Sequence, residues 1–138
     1  MLVKKGWFKV TVLGVFLAAL LLNAFMIAPA AHAKGGDATR IALKGSAPYA
    51  TAKGTAKYKA EGGEREFQVE LENARSLAGK TLNVFVNGAK VGSFRVSALG
   101  AGRLERNSDL GQAVPNISAG SRVQIKTTTG ALVVSGSF

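Results

Sequence analysis

Three carboxylates, Glu66, Glu70 and Glu72, recur at even positions in a stretch that alternates polar and apolar residues. On a strand they project to one side, with alternate residues roughly 6.5–7 Å apart. That distance overlaps the separation of the two carboxyl groups in an inverting glycoside hydrolase, so a glycan-acting enzyme is the first chemistry to weigh. The preceding stretch carries Lys53, Lys57 and Lys59. If Gly62-Gly63 forms a two-residue turn, Lys59 faces Glu66 and Lys53 faces Glu72. A facing cation favours the ionised carboxylate, whereas a catalytic acid must keep its proton. No aromatic residue shares that face to stack on a sugar ring. The pattern predicts a solvated charge ladder, and no residue is assigned a catalytic role.

A second set, Arg95, Arg103, Arg106 and Arg122, lies in a region whose only acids are Glu105 and Asp109. These four arginines are the candidate anion-binding residues. Asn107, Asp109 and Asn116 offer oxygens but lack the D-x-D-x-D-G spacing of a calcium loop; turn formation is their expected use.

The negatives are equally informative. His32 and Trp7, the sole residues of their kinds, both fall within the first 33 residues, and the chain has no cysteine. Residues 34–138 therefore lack the imidazole and thiolate that most transition-metal sites, histidine-based triads and thiol nucleophiles require. No cofactor and no metal site is expected.

Those first 33 residues form a recognisable unit. Lys4, Lys5 and Lys9 precede an apolar run from Val10 to Ile27, then Pro29, then Ala31-His32-Ala33. A positive start, an apolar centre and a small-x-small end define a secretory signal peptide, with Ala31 and Ala33 as the cleavage signature. The competing reading is an uncleaved anchor, the run being at the lower edge of what spans a bilayer. Either way the remainder is expected outside the cytoplasm: periplasmic, at the cell surface or extracellular. The style of the segment and the lack of cysteine point to a bacterial source. Residues 34–138 keep all 8 acids and 15 of the 18 bases, a formal balance of +7. Such a charge favours anionic partners, and an exported domain with few aromatics is not expected to bind nucleic acid.

The elements that must hold these side chains are strands. After a short leader at residues 34–38, one domain is expected over 39–138. Arg40 to Lys44 alternates as a half-buried strand does. Ala52 to Glu72 predicts a hairpin in which Tyr58 faces Phe67, Ala56 faces Val69 and Gly54 faces Leu71, with the lysine–glutamate pairs on the other side. One register sorts both faces at once, and a slip of one residue would turn every apolar side chain outward. Thr81 to Val86 pairs with Lys90 to Ser97 about Asn87-Gly88, a strong hairpin signal; its two-sided apolar pattern predicts an interior strand. A shorter strand surrounds Arg103 to Glu105. Asn107 to Gly120 is irregular, with Val114 and Ile117 as inward plugs. Arg122 to Phe138 forms a last hairpin about Thr129-Gly130, with Val123, Ile125 and Thr127 opposite Gly136, Val134 and Leu132. The class is all-β: an antiparallel sandwich of seven to eight short strands, immunoglobulin-like in size, or alternatively a small closed β-barrel.

Leu43 to Ala47, Ala52 to Tyr58 and Phe67 to Leu71 carry a resemblance. With their L-x-G-like, G-x-A-x-aromatic and alternating apolar patterns, residues 41–74 resemble the opening strands of chordin-type (CHRD) domains. The histidine-containing H-x-H segment found later in that family is missing here, so no histidine role carries over. The remainder looks like small exported bacterial β-domains of unassigned role. The resemblance implies a secreted β-sandwich and no activity.

The expectation is an exported, non-enzymatic β-domain of the cell envelope or extracellular space. It would act as a binding or structural module whose partner is an anionic envelope polysaccharide or another exported protein. Membrane contact would occur only through the signal segment if it stays uncleaved. The alternatives are a small outer-membrane β-barrel and a carboxylate-type glycan-acting enzyme.

Overall fold

The computed structural model describes residues 37–138. The expected signal peptide, its Ala31 and Ala33, and leader positions 34–36 lie outside the described residues. Eight strands follow one another: β1 (Ala38–Gly45), β2 (Lys53–Glu61), β3 (Glu64–Glu72), β4 (Thr81–Val86), β5 (Ala89–Arg95), β6 (Gly102–Asn107), β7 (Arg122–Thr127) and β8 (Leu132–Ser137). Only two short 3-10 turns, Arg75–Leu77 and Ser108–Leu110, interrupt them. The all-β class and the strand count are as expected, with β1 beginning inside the expected leader.

All eight strands belong to one antiparallel sheet in the order β5-β4-β7-β8-β1-β2-β3-β6. The sheet curls until its two edge strands, β5 and β6, face each other, giving a nearly closed barrel. No backbone ladder joins them; side chains make the seam. Phe94 of β5 lies against Gly102 of β6, where any β-carbon would collide with its ring. Arg106 of β6 donates from Nη2 to the Val91 carbonyl at 3.3 Å.

The β2–β3 hairpin has the register that the apolar pattern demands. Tyr58 pairs with Phe67, Ala56 with Val69, Gly54 with Leu71, Lys59 with Glu66 and Lys53 with Glu72. The turn at Gly62-Gly63 needs positive φ at both residues (58° and 91°), which glycine adopts freely and which matches the twist of the strands. Asn87-Gly88 closes β4–β5 in the same way, at φ 50° and 84°, and β4 is interior, between β5 and β7.

The inward residues fill the barrel with hydrocarbon. Ala56, Phe67, Val69, Leu82, Val84, Val123, Ile125, Val133 and Val134 are fully buried. At such packing each large aliphatic or aromatic side chain contributes about 1.5–3 kcal/mol relative to exposure. The β7–β8 register corrects one expected pair. Val123 meets Gly136 and Ile125 meets Val134, but Leu132 pairs with Lys126 rather than Thr127. The extra residue is Val133, and the resulting irregularity lets Val133 and Val134 both bury, where strict alternation would expose one.

The long segment between β6 and β7 crosses one end of the barrel. Val114 is buried and Ile117 packs against the core, as the plug reading expected. Arg65 fastens the segment: its backbone N–H donates to Ser108 Oγ at 2.8 Å, and its Nη1 donates to the Val114 carbonyl at 3.0 Å and to Asn116 Oδ1 at 3.2 Å.

Candidate functional site

Because β1, β2, β3 and β6 are consecutive in the sheet, their outward residues form cross-strand rows that the registers define. One row reads Lys44, Lys53, Glu72; the next reads Ala42, Thr55, Glu70, Arg103; a third reads Arg40, Lys57, Gln68, Glu105; a fourth reads Ala38, Lys59, Glu66, Asn107. The outer face of β1–β2 is thus basic, and the outer face of β3 is lined with acids.

The expected charge ladder is present as a register but not as ion pairs. Among the described residues the close ion pairs are Lys59 with Glu61 (3.4 Å), Arg103 with Glu70 (3.9 Å) and Arg103 with Glu105 (3.2 Å). Lys59 therefore turns to its own strand. Glu70 turns toward β6 and also accepts from Gln68 Nε2 at 2.8 Å. Lys53 stands opposite Glu72 without closing on it, and an exposed lysine–carboxylate pair gains little over hydration to make it close. Among the described residues, Arg40, Lys44, Lys53 and Lys57 have no carboxylate in ion-pairing distance.

Two like-charged pairs result: Lys44 directly opposite Lys53, and Arg40 directly opposite Lys57. Like charges directly opposite on a sheet destabilise it, by an amount comparable to the roughly 0.2–1 kcal/mol that a good cross-strand pair contributes. Beside the first pair, Ala42, Lys44, Lys53 and Thr55 line a surface depression of about 410 Å³, with Glu72 also in its wall. The outward positions of β1 and β2 carry no aromatic residue; Tyr58 points inward against Phe67.

The four arginines singled out from the sequence do not come together. Arg95 and Arg103 lie at the end of the barrel that holds the β3–β4 and β5–β6 connections, and Arg106 and Arg122 lie toward the opposite end. Arg103 is occupied by two glutamates. Arg106 falls on the inward side of β6, in register with buried Phe67, and its guanidinium holds the seam. Arg122 is exposed at the strand end, where its N–H donates to Asn87 Oδ1 at 2.9 Å. Arg95 is exposed on the outside of β5.

Arg40 and Lys44 were not among the residues the sequence singled out. Arg40 and Lys44 are four apart, as are Lys53 and Lys57, but only the β1–β2 register, which the spacing does not reveal, sets the two doublets face to face. Asn107 is used as turn chemistry, its Oδ1 accepting from the Asp109 N–H at 2.7 Å, whereas Asn116 lies outside any turn and its Oδ1 instead accepts from Arg65. Among the described residues no three His, Cys, Asp or Glu side chains gather into a metal-holding group. Among them, too, no helix is long and apolar enough to cross a membrane.

The fold and its basic face define a small antiparallel β-barrel with a cationic strand pair on its exterior. No protein-family model matches the chain, and no curated protein is similar to it.

Proposed function

We propose that this is an exported, non-enzymatic binding domain, and that the outer face of β1–β2 holds an anionic polysaccharide of the cell envelope. One observation carries the reading: Lys44 opposite Lys53 and Arg40 opposite Lys57, two like-charged pairs that, among the described residues, close on no carboxylate, although Glu72 is in register with Lys53. A bound polyanion would turn that local repulsion into attraction. Export is supported by the sequence of residues 1–33, with its lysines, apolar run and Ala31-His32-Ala33 ending. The likeness of residues 41–74 to chordin-type opening strands belongs to the same proposal, those residues covering most of β1 and all of β2 and β3.

The character of the outer surface argues against an outer-membrane barrel. Such a barrel turns an apolar band outward and keeps a polar interior. Here the outward positions of β1 to β3 include Arg40, Lys44, Lys53, Lys57, Lys59, Glu66, Glu70 and Glu72, and the interior is hydrocarbon. Against the glycan-acting enzyme stands the engagement of Glu70 by protein partners, Arg103 on β6 and Gln68 Nε2, in place of a substrate.

The test is retention on immobilised polygalacturonate. The protein is expected to bind at low salt and to elute as salt rises, since screening shortens the reach of exposed charges to about 10 Å at 0.1 M. It is expected to pass through a neutral dextran column. Flow-through from polygalacturonate at low salt overturns the proposal.

A further inference from the structure

Resting on that proposed function, we infer that the polymer lies along β1 and β2, parallel to the strands, and is gripped at two separate cation pairs, so that binding has a minimum chain length. The two pairs are four residues apart on both strands. At about 3.3 Å per residue they are roughly 13 Å from one another. Between them is the uncharged row of Ala42 and Thr55, whose small side chains leave the path open.

The direction follows from what borders the path. A chain crossing the strands from β1 to β2 would meet β3 next, where Glu66, Glu70 and Glu72 stand in a line parallel to the cations. Carboxylates on the ligand would be repelled there. On the other side β8 offers Ser135 and Ser137, which carry no charge to draw the chain across. Only the direction along the strands meets cation, neutral gap and cation in turn. At the far end Lys59 is drawn to Glu61, so the first two pairs set the span. With no aromatic on this face, the ring of the sugar contributes no stacking, and the spacing of the charges is what is read.

Two weak contacts on one chain act together. Once the first pair is engaged, the second sees the tethered carboxylate at high effective concentration, and affinity rises well beyond the sum of the two. An oligomer too short to reach both pairs gains nothing of this kind.

The experiment titrates protein purified from the full-length gene with galacturonate oligomers of defined length, from monomer upward, at low salt. The expected result is weak binding that changes little among the shortest oligomers. A step of about tenfold or more is expected once the oligomer spans both pairs. Two double variants, Lys44→Gln with Lys53→Gln and Arg40→Gln with Lys57→Gln, are each expected to abolish the step while retaining the weak binding of short oligomers. A smooth rise with charge number and no step overturns the two-point grip while leaving the binding function standing. So does an equal loss at every length in both variants. No binding at any length overturns the inference and the proposed function together.

Discussion

Lys44 and Lys53 are direct cross-strand partners on the outside of the barrel, two ammonium-bearing side chains on one rung with no carboxylate closing on either. Along the edge of the same depression runs Glu72, which is in register with Lys53. The rung is therefore repulsive toward β1 and only loosely compensated toward β3, an arrangement that costs the empty protein some stability.

A single substitution separates the two consequences. Lys44→Glu gives Lys53 an opposite charge on its own rung, and Ser135, the other neighbour of position 44, is neutral. The variant is expected to be more stable than the parent by about 0.2–1 kcal/mol, read from urea denaturation at low salt. It is also expected to lose retention on polygalacturonate. A variant that is less stable, or that binds unchanged, contradicts the assignment of this rung.

The arginines make a contrasting pair. Arg103 is already neutralised by Glu70 and Glu105, so Arg103→Ala is expected to leave polymer retention unchanged. Arg106 works on the fold: its Nη2 donates to the Val91 carbonyl across a seam that has no backbone ladder. Arg106→Ala is expected to cost about 1 kcal/mol or somewhat more of unfolding free energy, again without altering retention. Chemical denaturation and the column assay together read both outcomes.

Much of this architecture was legible beforehand, and the parts that were not share a physical reason. The β2–β3 register could be read because a two-glycine turn fixes the pairing and a single register satisfies both faces. The β7–β8 hairpin was legible to Ile125–Val134, and then Val133 entered the strand as an extra residue; alternation alone gives no warning of an irregularity that buries two valines in a row. The sheet order was harder still. Whether β1 lies beside β2 depends on the Gly45 to Ala52 connection, so the facing of Arg40 with Lys57 was invisible although all four cations were in view. Distance from acids along the chain does not show which arginines are paired, because Glu70 reaches Arg103 through the β3–β6 pairing, 33 positions away. Long-range pairing, more than local propensity, decides which charges are neighbours.

The covering segment depends on Arg65, whose Nη1 donates both to the Val114 carbonyl and to Asn116 Oδ1. Arg65→Ala removes both bonds, keeps the β3 ladder, and leaves Val114 held by packing alone. Hydrogen exchange is expected to accelerate over residues 111–120 and to change little in β2 and β3, since local opening is governed by the contacts of the segment that opens. Uniform acceleration through the whole barrel would mean that the segment and the core unfold as one unit.

The seam supplies the sharpest test of how the barrel closes. At Gly102 a β-carbon would run into the Phe94 ring, with the Arg95 carbonyl 3.4 Å away on the same side. Gly102 also pairs with Leu71 on β3, so the backbone there is fixed from one side and the ring presses from the other. Neither can retreat without opening the contact between β5 and β6, the two strands that no ladder joins. Gly102→Ala is therefore expected to cost about 1–3 kcal/mol, the usual range for overpacking a filled site, as a lower denaturation midpoint with unchanged slope. Phe94→Leu in the same chain should recover part of that loss, because a smaller side chain makes room for the methyl group even as it gives up ring contacts. The two substitutions must then be non-additive, as residues in direct contact are. If Gly102→Ala is neutral, or if the double variant simply sums the two losses, the edge strands do not meet through this contact.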